Sequence, residues 1–156
     1  GGCYGPRGND PTEGGAWSAM QVRHATEALE LTLEYVQQRT AFGGVVFDSQ
    51  AIRQRMAMLE AKNQAARQFH YHCAWLADQG RDCVREVSML KALTGELVNE
   101  VMYACQQFHG GAGYLREGAS ERLTRDARVL AIGGGATAVM LAEVSKRSAA
   151  WPQACR

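Results

Sequence analysis

The stretch "AIRQRMAMLEAKNQAARQFHYHCAWLADQGRD" (Ala51 to Asp82) decides the fold. Ile52, Met56, Leu59, Asn63, Ala66, His70, Cys73 and Ala77 recur in steps of four and three, which puts them on one stripe of an α-helix. The positions between them are rich in Gln, Arg, Glu and Lys, so the opposite face suits water. "DQGRD" then stops the run. A helix with one apolar stripe needs neighbours of the same kind to cover it.

The rest of the chain supplies them. Upstream, Ala25, Ala28, Leu29, Thr32 and Val36 share the period, and Arg39 closes that helix near its negative end. "RTAFGGVVFDSQ" (Arg39 to Gln50) interrupts it, with Gly43 and Gly44 as turn residues and Asp48 or Ser49 as candidate caps for the next helix. Downstream, Val87, Leu90, Thr94, Leu97, Val101, Ala104 and Phe108 repeat the stripe until "HGGAGYLREGAS" (His109 to Ser120) breaks it. A shorter run follows from about Ser120, a plausible cap, to Leu130. After Gly133, Gly134 and Gly135, a last helix starts with Ala136, Met140 and Val144 and stops before Pro152. No alternating strand pattern is visible. The expectation is an all-α, four-helix up-and-down bundle over residues 16–148, with an irregular lead-in (1–15) and a tail (149–156). A two-chain coiled coil competes, but the apolar faces are too wide for a dimer seam.

Composition narrows the function. The 156 residues carry 17 basic and 16 acidic side chains, a balance that gives no electrostatic case for nucleic acid. No apolar run approaches the roughly 20 residues of a membrane span, and no signal-peptide pattern opens the chain. Five cysteines at irregular spacing, with no Cys-x-x-Cys, point away from a zinc site and toward a reducing, intracellular setting. Cys73 and Cys105 fall on apolar faces as small hydrophobes.

Short motifs are weak alone. "HGGAGY" (His109 to Tyr114) is similar to an esterase oxyanion segment, but no Gly-x-Ser-x-Gly elbow accompanies it. His70 and His72 are two apart on a helix and cannot share a metal; His70, on the stripe, reads as a satisfied core histidine. The glycine triplet follows no strand and precedes no Lys-Ser or Lys-Thr, so it is not a nucleotide loop. "RTAFGG" pairs a guanidinium fork suited to phosphate with an aromatic face and two glycines. Taken alone it reads more simply as a helix C-cap followed by a staple.

Read together, four segments are far more specific. "YVQQRTAFGGVVFDSQAI", "AWLADQGRDCVREVSMLKAL", "QQFHGGAGY" and "ERLTRDARVLAI", in that order, strongly resemble the C-terminal helical domain of the acyl-CoA dehydrogenase family, over about Ala16 to Arg147. The resemblance implies a bundle that assembles with itself or with a chain carrying the N-terminal and middle domains, and that completes the FAD site of a neighbouring subunit. Arg39 and Phe42 would then meet the pyrophosphate and adenosine of FAD, with Gln50 at the same edge. Gln107 and Gly111 would hold FAD by side-chain and backbone hydrogen bonds. Arg125 and Asp126 resemble a structural pair. The setting implied is the cytoplasm or the mitochondrial matrix.

The glycine triplet departs from that family. Its loop usually reads Tyr-Glu-Gly-Thr, where the glutamate removes the α-proton of an acyl-CoA thioester while flavin takes hydride from the β-carbon. The matching positions are Gly133, Gly134, Gly135 and Ala136, so the base position is Gly134. No catalytic residue is thereby assigned. A minority of the family places its base at the start of the first helix; Glu13 falls near there, followed by Gly14 and Gly15 where an arginine is usual. The expected function is a flavin-dependent acyl-CoA dehydrogenase-type domain, inactive alone. The alternatives are a domain of a flavin monooxygenase or N-hydroxylase of the same fold, and a non-catalytic oligomerisation module.

Overall fold

A computed structural model describes residues 11–148 of the chain. Helix α1 spans Pro11–Gln38, α2 Gln50–Asp78, α3 Val84–His109, α4 Ala119–Leu130 and α5 Thr137–Ser148. Two-residue strands β1 (Thr40–Ala41) and β2 (Gly44–Val45) pair antiparallel between α1 and α2. Short 3-10 turns cover Val46–Asp48 and Gly110–Tyr114.

Side-chain contacts give the directions. Thr94 of α3 bonds Gln21 of α1, and His109 meets Thr32, so α1 and α3 run parallel. Asn63 of α2 reaches back to Thr26, and Lys62 reaches Glu100, so α2 runs against both. Thr137 lies beside Gly95 and Arg147 pairs with Asp82, so α5 returns along α3. The fourth column of the bundle is therefore α4 and α5, broken at the glycine triplet. The architecture is an all-α up-and-down bundle.

The main core joins Leu29, Leu59, Val98, Val101 and Ala127 from four helices. Full burial of each larger side chain is worth about 1.5–3 kcal/mol. A second cluster, Cys73, Leu76, Cys83, Val87 and Leu90, closes the end where α2 turns into α3.

Three expectations change. Helix α1 begins at Pro11, not near Ala16, so Glu13, Gly14 and Gly15 of the expected lead-in are helical; residues 1–10 and 149–156 lie outside the described residues. Packing explains this: a Cβ on Gly14 would fall 2.6 Å from Val87 Cγ1, so a bare backbone lets α1 lie close on α3. The segment between α1 and α2, read as a simple turn, is a hairpin whose central residues Phe42 and Gly43 have φ of 55° and 86°, the hand that matches strand twist. Ser120 is not the cap of α4, which starts after Gly118; its carbonyl instead accepts from Thr124.

Candidate functional site

The five residues read from the sequence lie at one end of the bundle. Arg39 follows the last turn of α1; its N–H donates to the Tyr35 carbonyl and its carbonyl accepts from Val46 (2.8 Å each), which fixes the base of the hairpin. Phe42 sits at the hairpin tip, wholly exposed. The Asp48 carboxylate accepts from the Val45 N–H at 2.9 Å, and Arg53 donates to the Phe47 and Asp48 carbonyls at 3.0 and 2.7 Å. Asp48 thus braces the hairpin; Ser49 stands at the N-cap of α2 without a side-chain cap bond. Gln50, the first residue of α2, is exposed.

Because α3 runs parallel to α1, its last turn reaches the same end. Gln107 and Gly111 are exposed there. Their neighbours do the holding: Gln106 donates to the Gly113 carbonyl at 3.0 Å, and buried His109 bonds Thr32 at 3.2 Å. The His109 ring stacks on Tyr35 with centroids 4.2 Å apart, and the Tyr35 hydroxyl donates to the His109 carbonyl. Burial pushes the His109 pKa down. Sequence reading assigned no role to Tyr35 and His109, although both lie within the quoted segments. A Cβ on Gly43, Gly110 or Gly111 would meet nothing within 4 Å, so bare backbone faces open space beside Arg39, Phe42 and Gln107. A guanidinium, an aromatic ring, an amide and uncovered glycine backbone suit a nucleotide with a pyrophosphate.

The glycine triplet is elsewhere. Trp17, about 32 Å of helix before Gln38 at 1.5 Å per residue, packs its ring on Gly133 and Gly134. Gln21 donates to the Leu130 carbonyl at 2.7 Å, satisfying an end group of α4. Buried Lys91 donates to the Gly133 carbonyl at 3.0 Å and to the Gly134 carbonyl. Burial pulls the Lys91 pKa down, and the negative charge of Glu13 partly offsets it. Glu13 is exposed one turn before Trp17. No sequence motif pointed to Trp17 or Lys91.

Other sequence readings resolve plainly. His70 is only half-buried and its Nδ1 lacks a partner, so it is not a satisfied core histidine. Cys73, Cys83 and Cys105 are buried free thiols, and burial pushes Cys73 up to about 12. Arg125 and Asp126 form an exposed 3.7 Å pair, worth little. Among the described residues no group of three or more His, Cys, Asp or Glu is placed to hold a metal ion, and no helix is long and apolar enough to cross a membrane.

Residues 13–149 match the family described as acyl-CoA dehydrogenase, C-terminal domain. The chain is 36% identical over 128 residues to the caffeyl-CoA reductase-Etf complex subunit CarC of Acetobacterium woodii, covering 82% of this chain and 34% of that protein. A crystal structure of an acyl-CoA dehydrogenase from Geobacillus kaustophilus superposes with a TM-score of 0.86 at 31% identity, covering 88% of this chain and 36% of that one. A structure titled PigA with FAD and proline superposes with a TM-score of 0.82 at 25% identity, over 87% of this chain and 36% of that one. The chain spans about a third of the length of the curated relatives it matches. With its helices, its hairpin and its order of motifs all accounted for, this chain belongs to the acyl-CoA dehydrogenase family, as its C-terminal helical domain.

Proposed function

We propose that the hairpin end of the bundle, with Arg39, Phe42, Gln50, Gln107 and Gly111, supplies the outer rim of an FAD site completed by polypeptide outside this domain. The observation that carries this reading is Phe42, a wholly exposed ring on left-handed backbone at a braced hairpin tip. A monomer gains nothing from that arrangement; a nucleotide at a shared surface does. One relative's structure carries FAD by its title, which fits the same chemistry.

The separation of hairpin and glycine loop along α1 supports a reading in which one chain's two ends serve different cofactor molecules. That favours an oligomer, of this chain or of longer chains. FAD, when bound, accepts the hydride of an acyl-CoA α,β-desaturation. Arg39 would neutralise pyrophosphate charge, Phe42 would cover the adenosine, and the Gln107 amide and Gly111 N–H would fix register. Gly134 can accept no proton, so the acceptor this chain offers near the loop is Glu13.

In the assembled flavoprotein, Arg39→Ala with Phe42→Ala should lower FAD content at least several-fold in absorbance; unchanged content would overturn the rim and favour a purely structural module. The chain alone, given FAD and an acyl-CoA, should reduce no dye. A second reading, flavin-based oxygen chemistry on the same fold, is favoured by the lack of a carboxylate at Gly134. Glu13→Gln separates them: loss of dye reduction supports desaturation, whereas oxygen uptake with reduced flavin that survives it supports the monooxygenase.

A further inference from the structure

The space above the glycine loop is taken. A Cβ on Gly133 would lie 2.8 Å from Trp17 Cη2, and one on Gly134 would lie 2.5 Å from Trp17 Nε1. Gly134 and Gly135 also adopt φ of 62° and 112°, which L side chains resist. A Cβ on Gly135 would fall 2.7 Å from Met140 Cε and 3.3 Å from Lys91 Nζ. The loop is thus closed to side chains by backbone hand and by occupied volume together.

Lys91 ties the parts to each other. At 3% exposure it donates to the Gly133 and Gly134 carbonyls, and its Nζ lies 5.7 Å from the centroid of the Trp17 ring. A cation that bonds two loop carbonyls and faces an indole holds that indole at a set distance from the loop. Trp17 itself is half-buried, so part of its ring faces outward.

We propose that Trp17, braced by Lys91, is the specificity-determining wall of the acyl site, standing where a side chain of the loop would otherwise stand. The inference rests on the functional reading above, in which Glu13, beside this loop, takes the proton of the acyl thioester. An indole turns about only two side-chain bonds, and this one is pinned on two sides, so it yields little to a bulky ligand. Acyl groups that are slim beside the thioester carbonyl fit; those branched at the α- or β-carbon collide. A pocket too small by one methyl group discriminates by roughly 10–200-fold.

The test uses the assembled flavoprotein containing this domain, with butyryl-CoA and 2-methylbutyryl-CoA as probes. The ratio of kcat/KM values in wild type should favour the unbranched acyl group by about tenfold or more. Trp17→Ala should bring that ratio to within about threefold, and Lys91→Met should move it the same way by releasing the ring. If Trp17→Ala does not fold, Trp17→Phe gives a smaller shift of the same sign. Wild-type turnover with a ratio that the Trp17 variant leaves unchanged, or with a preference for the branched acyl group, overturns the wall alone. No wild-type turnover of any acyl-CoA overturns the functional reading as well.

Discussion

Phe42 bears two costs at once: its ring stands in water and its backbone is left-handed, at φ 55°. A bulky residue in that region is strained by about 1–3 kcal/mol. Asparagine tolerates it better. Phe42→Asn should therefore stabilise the chain by about 0.5–1 kcal/mol in denaturant melts, while FAD retention by the assembly falls. A stability gain with undiminished FAD would remove Phe42 from the site. The opposite trade is expected at Gly134. A glutamate there meets φ 62° and the Trp17 ring, so Gly134→Glu should cost about 1–3 kcal/mol and not raise acyl-CoA dehydrogenation by the assembly above the wild-type level. A rise in activity without loss of stability would show that the loop has room after all.

Helix ends, rather than helix middles, decide what the elements present. His109 joins the last turns of α1 and α3 through Thr32 and Tyr35, and burial keeps its pKa below the ordinary 6.5. The depressed value means the unfolded chain binds a proton first. The contribution is intact above about pH 6.5 and is lost as pH falls from there through the lower folded value. His109→Gln should flatten that acid limb in melts recorded from pH 7 to 5. Along the α1–α2 contact, Asn63 is fully buried with its Oδ1 unpartnered, while its Nδ2 donates to Thr26, which also accepts from Arg67. Leucine there removes a lone buried acceptor and leaves Thr26 bonded. Asn63→Leu should be neutral or stabilising, within about 1 kcal/mol, and a larger loss in melts would show that the amide is fully satisfied in solution.

At the scale of the molecule, one apolar interior holds two distant ends in register. Leu59, with no exposed surface, lies in the cluster shared by α1, α2, α3 and α4. Leu59→Ala should cost about 2–5 kcal/mol, a large part of the 5–15 kcal/mol typical of a whole domain. Its calorimetric transition should fall accordingly. Because the hairpin rim and the glycine loop both hang on α1, such a loss should degrade FAD retention and acyl selectivity together, whereas Phe42 and Trp17 substitutions separate them.

The sequence by itself determined the bundle. Stripes at three and four residues call for packed helices to bury Leu59, Leu90 and Val101, and the family resemblance of "RTAFGG" and "QQFHGGAGY" pointed to the end of the bundle proposed above as the rim. Helix starts were less legible, because Gly14 reads as a breaker until Val87 is seen against it. Only tertiary structure decided how the rim is held and what fills the loop. Tyr35 on His109, and Trp17 with Lys91 over Gly133 and Gly134, join residues about 42 to 117 positions apart. Such contacts leave no periodic trace in a single chain, since each partner looks like an ordinary helix residue until packing brings the two faces together.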